Sequence, residues 1–377
     1  MEGVDVDIKG IAGDNRLWQS VGGEFAVCRD CGHIQKMLTD QYKQEVALIY
    51  KDYCMKTLHE GRQILSFNDG GTTPKMEKLI RLLQGEIDFP QKGTLLDFGC
   101  NRGHFLKNFG KLFPDWILHG LDSNESKKDE VLSIPGIKRF YVSEDDIQEQ
   151  YDFIALINVI EHMFEPVASL KKIRNMLKPE GFLLICTPNL ADHAFDLPIV
   201  EHCSHFYFQT LRNAVNLSGL EIVHSNKWIN KEIGLIVKVR EVGESRSSGQ
   251  ETIQNMYRQS RECLLSSSTY IQDEIKHARE SAKNNTVGIL GVAIDGTYIG
   301  SHFIDDLDFY VDENPFYVGK KYMGKKIFSI VDIPDNSSVY LPFPYDVACS
   351  IQERFKVQYP HVKCILPIKK EDSLVQS

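Results

Sequence analysis

The chain has 377 residues, 42% of them apolar and 25% charged, with a formal net charge of -9. That length gives room for two or three domains with sizeable cores, and the acidic balance speaks against a nucleic-acid binder, which carries a basic face. No apolar run reaches the roughly 20 residues of a membrane span. The N-terminus MEGVDVDIKG has no signal-peptide core, and the nine cysteines lie mostly in apolar runs, as reduced thiols of a cytoplasmic protein would.

Residues 1–45 read as irregular and hold Cys28 and Cys31. Residues 46–85 read as helical, KMEKLIRLLQGE placing apolar side chains at helical spacing. From about residue 93 strands alternate with helices: GTLLDFGC, WILHGLDSN, IKRFYV and YDFIALINVIEHM are strands, separated by the helices HFLKNFGKLF and SKKDEVLSI. The fourth strand is apolar nearly throughout, as a strand covered on both faces should be. PVASLKKIRNMLKPEG is a helix closed by Pro179 and Gly181, GFLLICTPN a fifth strand, LRNAVNLSGL a helix, and LEIVHS and LIVKVRE two closing strands. This alternation predicts an α/β architecture with a parallel sheet. The expected organisation is an N-terminal module over 1–60, a central α/β domain over 61–242, a linker and helix over 243–285, and a second, smaller α/β domain over 286–377.

One constellation carries chemistry. Leu95-Leu96-Asp97-Phe98-Gly99-Cys100-Asn101-Arg102-Gly103 follows a strand and opens a helix. Gly99 can turn the chain, and Gly103 lets helix and ligand approach closely. Asp97 ends the strand, at the edge where open α/β sheets bind ligands. Asp122, 19 residues after Gly103 and one strand later, can accept both hydroxyls of a ribose. Ser143-Glu144-Asp145-Asp146 could meet an adenine amino group, and Asn158-Val159-Ile160-Glu161-His162 would floor the site. A dehydrogenase loop needs glycines separated by one residue, and Gly99-Cys100-Asn101-Arg102-Gly103 does not have them.

Over about 93–240 these residues resemble the class I S-adenosylmethionine-dependent methyltransferases, whose fold is Rossmann-like. The resemblance implies Asp97, Gly99 and Gly103 near the methionine part of the cofactor, Asp122 at the ribose, and Glu144 or Asp145 at the adenine. Asn158 and His162 would lie near the methyl group. Asn101 stands where the family carries glycine, and asparagine is the next most tolerant of left-handed backbone.

The flanks resemble a subfamily that methylates nucleotide-linked deoxysugars. Phe25–Gln35 looks like half of its zinc-binding N-terminal module, and Thr286–Pro367 like its Rossmann-like C-terminal domain. Cys28 and Cys31 supply one zinc knuckle of the two such a site needs; His33, Cys54 and His59 are candidates to complete it. Of that subfamily's Tyr-His-Glu-His run, Glu201 and His202 remain, with Ile199 and Val200 in the first two places. His202 is the candidate base for methyl transfer, with Glu201 and His205 beside it. The turn Gly288–Gly291 with Asp312 is read as shaping the acceptor pocket or a subunit contact. The residues leave open a nucleotide-sugar acceptor, another small molecule methylated on oxygen or nitrogen, and a non-catalytic nucleoside-binding protein. Methylation of nucleic acid or protein is disfavoured by the acidic charge.

Overall fold

The computed structural model describes residues 1–18, 23–51, 64–66, 72–226, 231–240, 250–283 and 285–370; Cys54 and His59 lie outside the described residues. The first elements are β1 (Glu2–Val4), β2 (Phe25–Val27), β3 (Ile34–Lys36) and helix α1 (Asp40–Lys51). A short strand pair follows, β4 (Ile64–Ser66) and β5 (Thr72–Pro74), before α2 (Lys75–Leu83). Among the described residues of 46–85, helix lies at the two ends and strand at 64–66 and 72–74. Thr72-Thr73-Pro74 favours extended backbone through its β-branched residues and the restriction proline places on its predecessor.

The central unit runs β6 (Thr94–Phe98), α3 (His104–Leu112), β7 (Ile117–Leu121), α4 (Lys128–Leu132), β8 (Ile137–Tyr141), β9 (Tyr151–Ile157), α5 (Pro166–Asn175), β10 (Leu177–Pro188), β11 (Ser204–His205), α6 (Phe208–Leu217), β12 (Leu220–Asn226) and β13 (Glu232–Val239). Its sheet has the order β12-β13-β10-β9-β6-β7-β8. All neighbours are parallel except β13, which is antiparallel to β10 and β12. Helix α5 stops at Asn175 rather than running to Gly181, because Leu177 already pairs with Tyr151 and Tyr151 N donates to Met176 O at 2.8 Å. Strand order reverses between β6 and β9. The crevice outside their carboxyl ends is therefore the switch point at which such sheets take ligands.

The N-terminal stretch is not irregular. β1, β2 and β3 form an antiparallel sheet whose fourth strand is β11, from the insertion after β10. Three-residue strands leave too short an alternation to read, and the strand that completes their sheet lies some 170 residues away, as the Ser204–Gln35 pairing shows.

Helix α7 (Gln250–Ala282) is about 50 Å long at 1.5 Å per residue. Cys263, Leu264, Ser267, Ile271, Glu274, Ala278 and Ala282 are buried along one face at helical spacing. That face joins one core with Phe25 and Val27 of the N-terminal sheet, Leu190, Phe195 and Leu197 of the insertion, and Ile289, Tyr298 and Tyr340 beyond the helix. The last unit comprises β14 (Thr286–Leu290), α8 (Ile294–Ser301), β15 (Phe309–Val311), β16 (Lys321–Tyr322), β17 (Lys325–Phe328), β18 (Ser337–Tyr340), α9 (Tyr345–Gln358) and β19 (Lys363–Ile365), in sheet order β16-β17-β15-β14-β18-β19. Among the described residues no helix is long and apolar enough to cross a membrane.

Candidate active site

The loop after β6 is held in left-handed turns. Gly99 has φ +80, and a Cβ there would stand 2.4 Å from Val159 Cγ2. Asn101 takes φ +49 and Gly103 φ +70, so asparagine adopts the conformation for which glycine is otherwise the default. The loop is tied to the neighbouring strand. Gly99 N and Cys100 N donate to Leu121 O at 2.8 and 2.9 Å. Asn101 N donates to Asp122 Oδ2 at 2.8 Å, and Asn124 N to Asp122 Oδ1 at 2.9 Å. Asp122 therefore sits at the carboxyl edge of the sheet, against the glycine loop. Lys127 donates to Asn101 Oδ1 at 2.6 Å, steadying the loop from the far side.

Asp97 is buried at that edge. Loss of solvent, with the Asp122 carboxylate nearby, pushes its carboxyl up to about 8. A buried acid in that condition becomes ionised when a cation approaches it.

Glu144 and Asp145 lie in a turn capped by Ser143, whose Oγ accepts from Asp145 N at 3.2 Å. Glu144 is paired with Lys172 of α5, and Asp145 is exposed on the rim. Asn158 takes φ +53, its N–H donates to Cys186 O at 2.8 Å, and its Oδ1 accepts from Lys75 Nζ at 3.0 Å. Lys75, buried at the start of α2, also pairs with Glu232 of β13. No sequence signal marked Lys75 or Glu232: each is a single charge beside an apolar run, and only the packing of α2 over β9 and β13 brings them together.

The insertion between β10 and α6 folds back over this loop. His202 Nδ1 and His205 Nδ1 lie 2.6 Å from the two oxygens of Asp196, which is 1% exposed. Burial would raise the Asp196 carboxyl, but the two imidazoles hold it far below the usual range. Burial would lower His202, but the Asp196 carboxylate outweighs it and the imidazole stands above its ordinary value; His205, sealed against the Phe25 ring at 5.5 Å, is lowered. Glu201 accepts from Gly13 N at 2.7 Å through Oε1, and its Oε2 is buried without a partner. Beneath lie Glu161 and His162. Glu161 Oε2 accepts from Thr187 Oγ1 at 2.9 Å, and its Oε1 is buried and unpartnered. The rings of His162 and His202 meet edge-on at 4.7 Å. Lys36 of β3 reaches in from the N-terminal sheet to donate to Ile199 O and, at 3.3 Å, to Val200 O; burial lowers its ammonium to about 8. Asp196 escaped sequence reading because an acidic residue six positions before a histidine has no diagnostic spacing.

Cys28 and Cys31 stand together, and burial together with the nearby Cys28 pushes Cys31 up to about 11. Among the described residues no third metal ligand joins them, and the His33 ring turns away to Ser204 Oγ at 3.1 Å. A small cleft of about 30 Å³ opens between the insertion, α7 and the last unit, lined by His193, Phe195, Lys231, Tyr270 and Asp295 among others. Its one lysine is committed: Lys231 and His193 both pair with Asp295. Asn189, just after β10, borders the cleft: its N–H donates to Lys231 O at 2.8 Å.

The family described as "Methyltransferase domain" matches residues 72–225. Ubiquinone biosynthesis O-methyltransferase of Bradyrhizobium diazoefficiens is 28% identical over 113 residues, covering 28% of this chain and 44% of that protein. The enzyme of the same description from Rhodopseudomonas palustris is 27% identical over the same length and shares. The chain thus spans less than half the length of these curated relatives. Among solved structures, the mitomycin 7-O-methyltransferase MmcR aligns at a TM-score of 0.38 with 14% identity, over 44% of this chain and 53% of that one. CalO1, a methyltransferase of calicheamicin biosynthesis in its SAH-bound form, aligns at 0.36 with 18% identity, over 44% and 54%. The family match spans α2, the glycine loop, Asp97, Asp122, the Asn158–His162 loop and the insertion. It is residues 72–225 that match the methyltransferase-domain family.

Proposed function

We propose that the chain is an S-adenosylmethionine-dependent methyltransferase acting on a small-molecule acceptor. The observation that carries this reading is the pairing of Asp97 and Asp122 at one sheet edge, with Asp122 bonded to the glycine loop. The residues fit the cofactor. A buried carboxyl deprived of solvent suits an ammonium, and Asp122 keeps acceptor capacity beyond its two backbone donors for ribose hydroxyls. Bound there, the cofactor would supply an electrophilic methyl group on a sulfonium.

The chain's own residues would orient and deprotonate. Asp97, Gly99, Asn101 and Gly103 hold the methionine end, Asp122 the ribose, and Glu144 or Asp145 the adenine. Asn158, fixed by Lys75, and His162 close the floor. His202 keeps Nε2 for the acceptor while Asp196 holds Nδ1, the arrangement that orients a general base. Glu201 and His205 support that ring rather than touch the acceptor, His205 being wholly buried. A hydroxyl is an acceptor group whose proton the unprotonated His202 ring could take, and a nucleotide-linked sugar is the acceptor the flanking resemblance favours. Zinc on Cys28 and Cys31 would need further ligands.

Calorimetry with S-adenosylmethionine and S-adenosylhomocysteine tests the cofactor site: wild type binds and Asp122→Ala loses at least tenfold. Absence of binding to either refutes the reading. Turnover of a panel of nucleotide-linked sugars and small phenols then separates acceptor classes.

A further inference from the structure

The Glu161, His162 and His202 side chains stand as three ligands of one vacant corner, and we propose that they bind a divalent transition-metal ion of the zinc class. One ligand atom from each lies within 4.8 Å of the other two. The bonds already made leave one atom of each residue free to ligate. His202 Nδ1 is on Asp196 at 2.6 Å, leaving Nε2. His162 Nδ1 is on Tyr50 Oη at 2.9 Å and Glu201 O at 3.2 Å, leaving Nε2. Glu161 Oε2 is on Thr187, leaving Oε1, which is buried and has no hydrogen-bond partner in a residue only 1% exposed. An unpaired buried carboxylate oxygen is costly unless something cationic meets it.

Two imidazoles and a carboxylate, with a fourth position open, form the ligand set of catalytic zinc sites. The surroundings are those such ligands require. Metal-bound histidines donate their other N–H to a carboxylate or carbonyl, which fixes tautomer and ring plane. Asp196 does this for His202 and the Glu201 carbonyl for His162. A tetrahedral site at bond lengths of about 2.1 Å has ligand atoms about 3.4 Å apart, so the three would draw inward by roughly 1 Å. The ion would lie beside the Asn158 turn, and its open position would take an oxygen of the acceptor. With the ion bound, His202 Nε2 would be a ligand and not a free base, so the base role proposed above belongs to the metal-free protein. The site stands on its own ligands and does not depend on methyl transfer.

The test uses the full chain, stripped with chelator and titrated with Zn²⁺ by calorimetry, then loaded with Co²⁺ for visible absorption. One ion per chain is expected, with d–d bands and no thiolate-to-cobalt charge-transfer band. Glu161→Gln and His202→Asn should each weaken Zn²⁺ binding at least 100-fold. Asp196→Asn should weaken it 10–100-fold, as removal of an outer-shell partner does. Cys28→Ser/Cys31→Ser should leave stoichiometry and spectrum unchanged. Circular dichroism of each variant shows that it is folded. A wild-type chain that takes no ion overturns the proposal, as does a thiolate charge-transfer band or undiminished affinity in folded Glu161→Gln. The cobalt spectrum of wild type decides the matter even where a variant does not fold.

Discussion

Asp97 offers the sharpest test of the cofactor edge. Its carboxyl ordinarily titrates near 3.8 and is pushed up to about 8, chiefly by burial and then by Asp122. Between those values the folded protein holds a proton that the unfolded chain has released. The stability this group contributes is complete below 3.8 and declines as pH rises through the folded value. The slope is about 1.4 kcal/mol per pH unit and halves at the folded value, so wild type loses roughly 2 kcal/mol from Asp97 alone between about pH 6 and pH 8. Asp97→Asn removes that loss, because an amide stays neutral, and the variant gains on wild type by the same amount across the interval. Urea unfolding of both proteins at the two pH values measures it. Donor binding must show the reverse. A cationic ligand ionises Asp97, so wild type releases a proton on binding and its affinity climbs by up to about tenfold per pH unit below 8, whereas Asp97→Asn binds weakly and without that slope. Parallel unfolding curves, or binding with no proton release in buffers of different ionisation enthalpy, would refute the account.

Other residues give sharp expectations. Gly99→Ala would force a Cβ to 2.4 Å from Val159 Cγ2 at φ +80; it should cost at least 1–2 kcal/mol of stability and most donor affinity. Val159→Ala in the same chain would restore stability only in part, since the backbone strain stays. Lys75→Met leaves the largely buried Glu232 without its partner, an expected loss of about 2–4 kcal/mol, and adding Glu232→Gln should recover much of it; denaturant midpoints decide. Asp295 is buried, which raises its carboxyl, but Lys231 and His193 outweigh this and hold it well below the usual range. Its contribution is therefore present above the ordinary carboxylate range and lost on acidification. The gap in melting temperature between wild type and Asp295→Asn should narrow as pH falls, and a gap constant with pH would disprove the pairing.

How legible each part was follows from how local its signal is. The strands and helices from β6 to β13 announce themselves by apolar runs, glycine turns and helical periodicity, all contained within ten or fifteen residues. Asn101 was legible for the same reason, since left-handed backbone is a property of one residue. Short strands failed the test: β1, β2 and β3 have three residues each, and no alternation can be read from three. Helix α5 ended early because a strand partner, Tyr151, claimed the residues after it.

By itself, the sequence determined the grouping of the candidate cofactor residues. Asp97, Gly99 and Gly103 lie at the end of β6 and Asp122 at the end of β7, and a single strand-helix-strand unit sets those two strands side by side and parallel, so their carboxyl ends meet. Tertiary structure alone decided what faces that edge. Lys36, Lys75, Asp196 and Glu232 come from four distant segments, and Glu161 acquires its meaning only when the insertion carrying His202 folds over it. Charges of that kind carry no periodicity and bind no neighbour in sequence. Their positions are set by the burial of apolar faces elsewhere, along α7 and the N-terminal sheet, and the polar cluster is what that packing encloses.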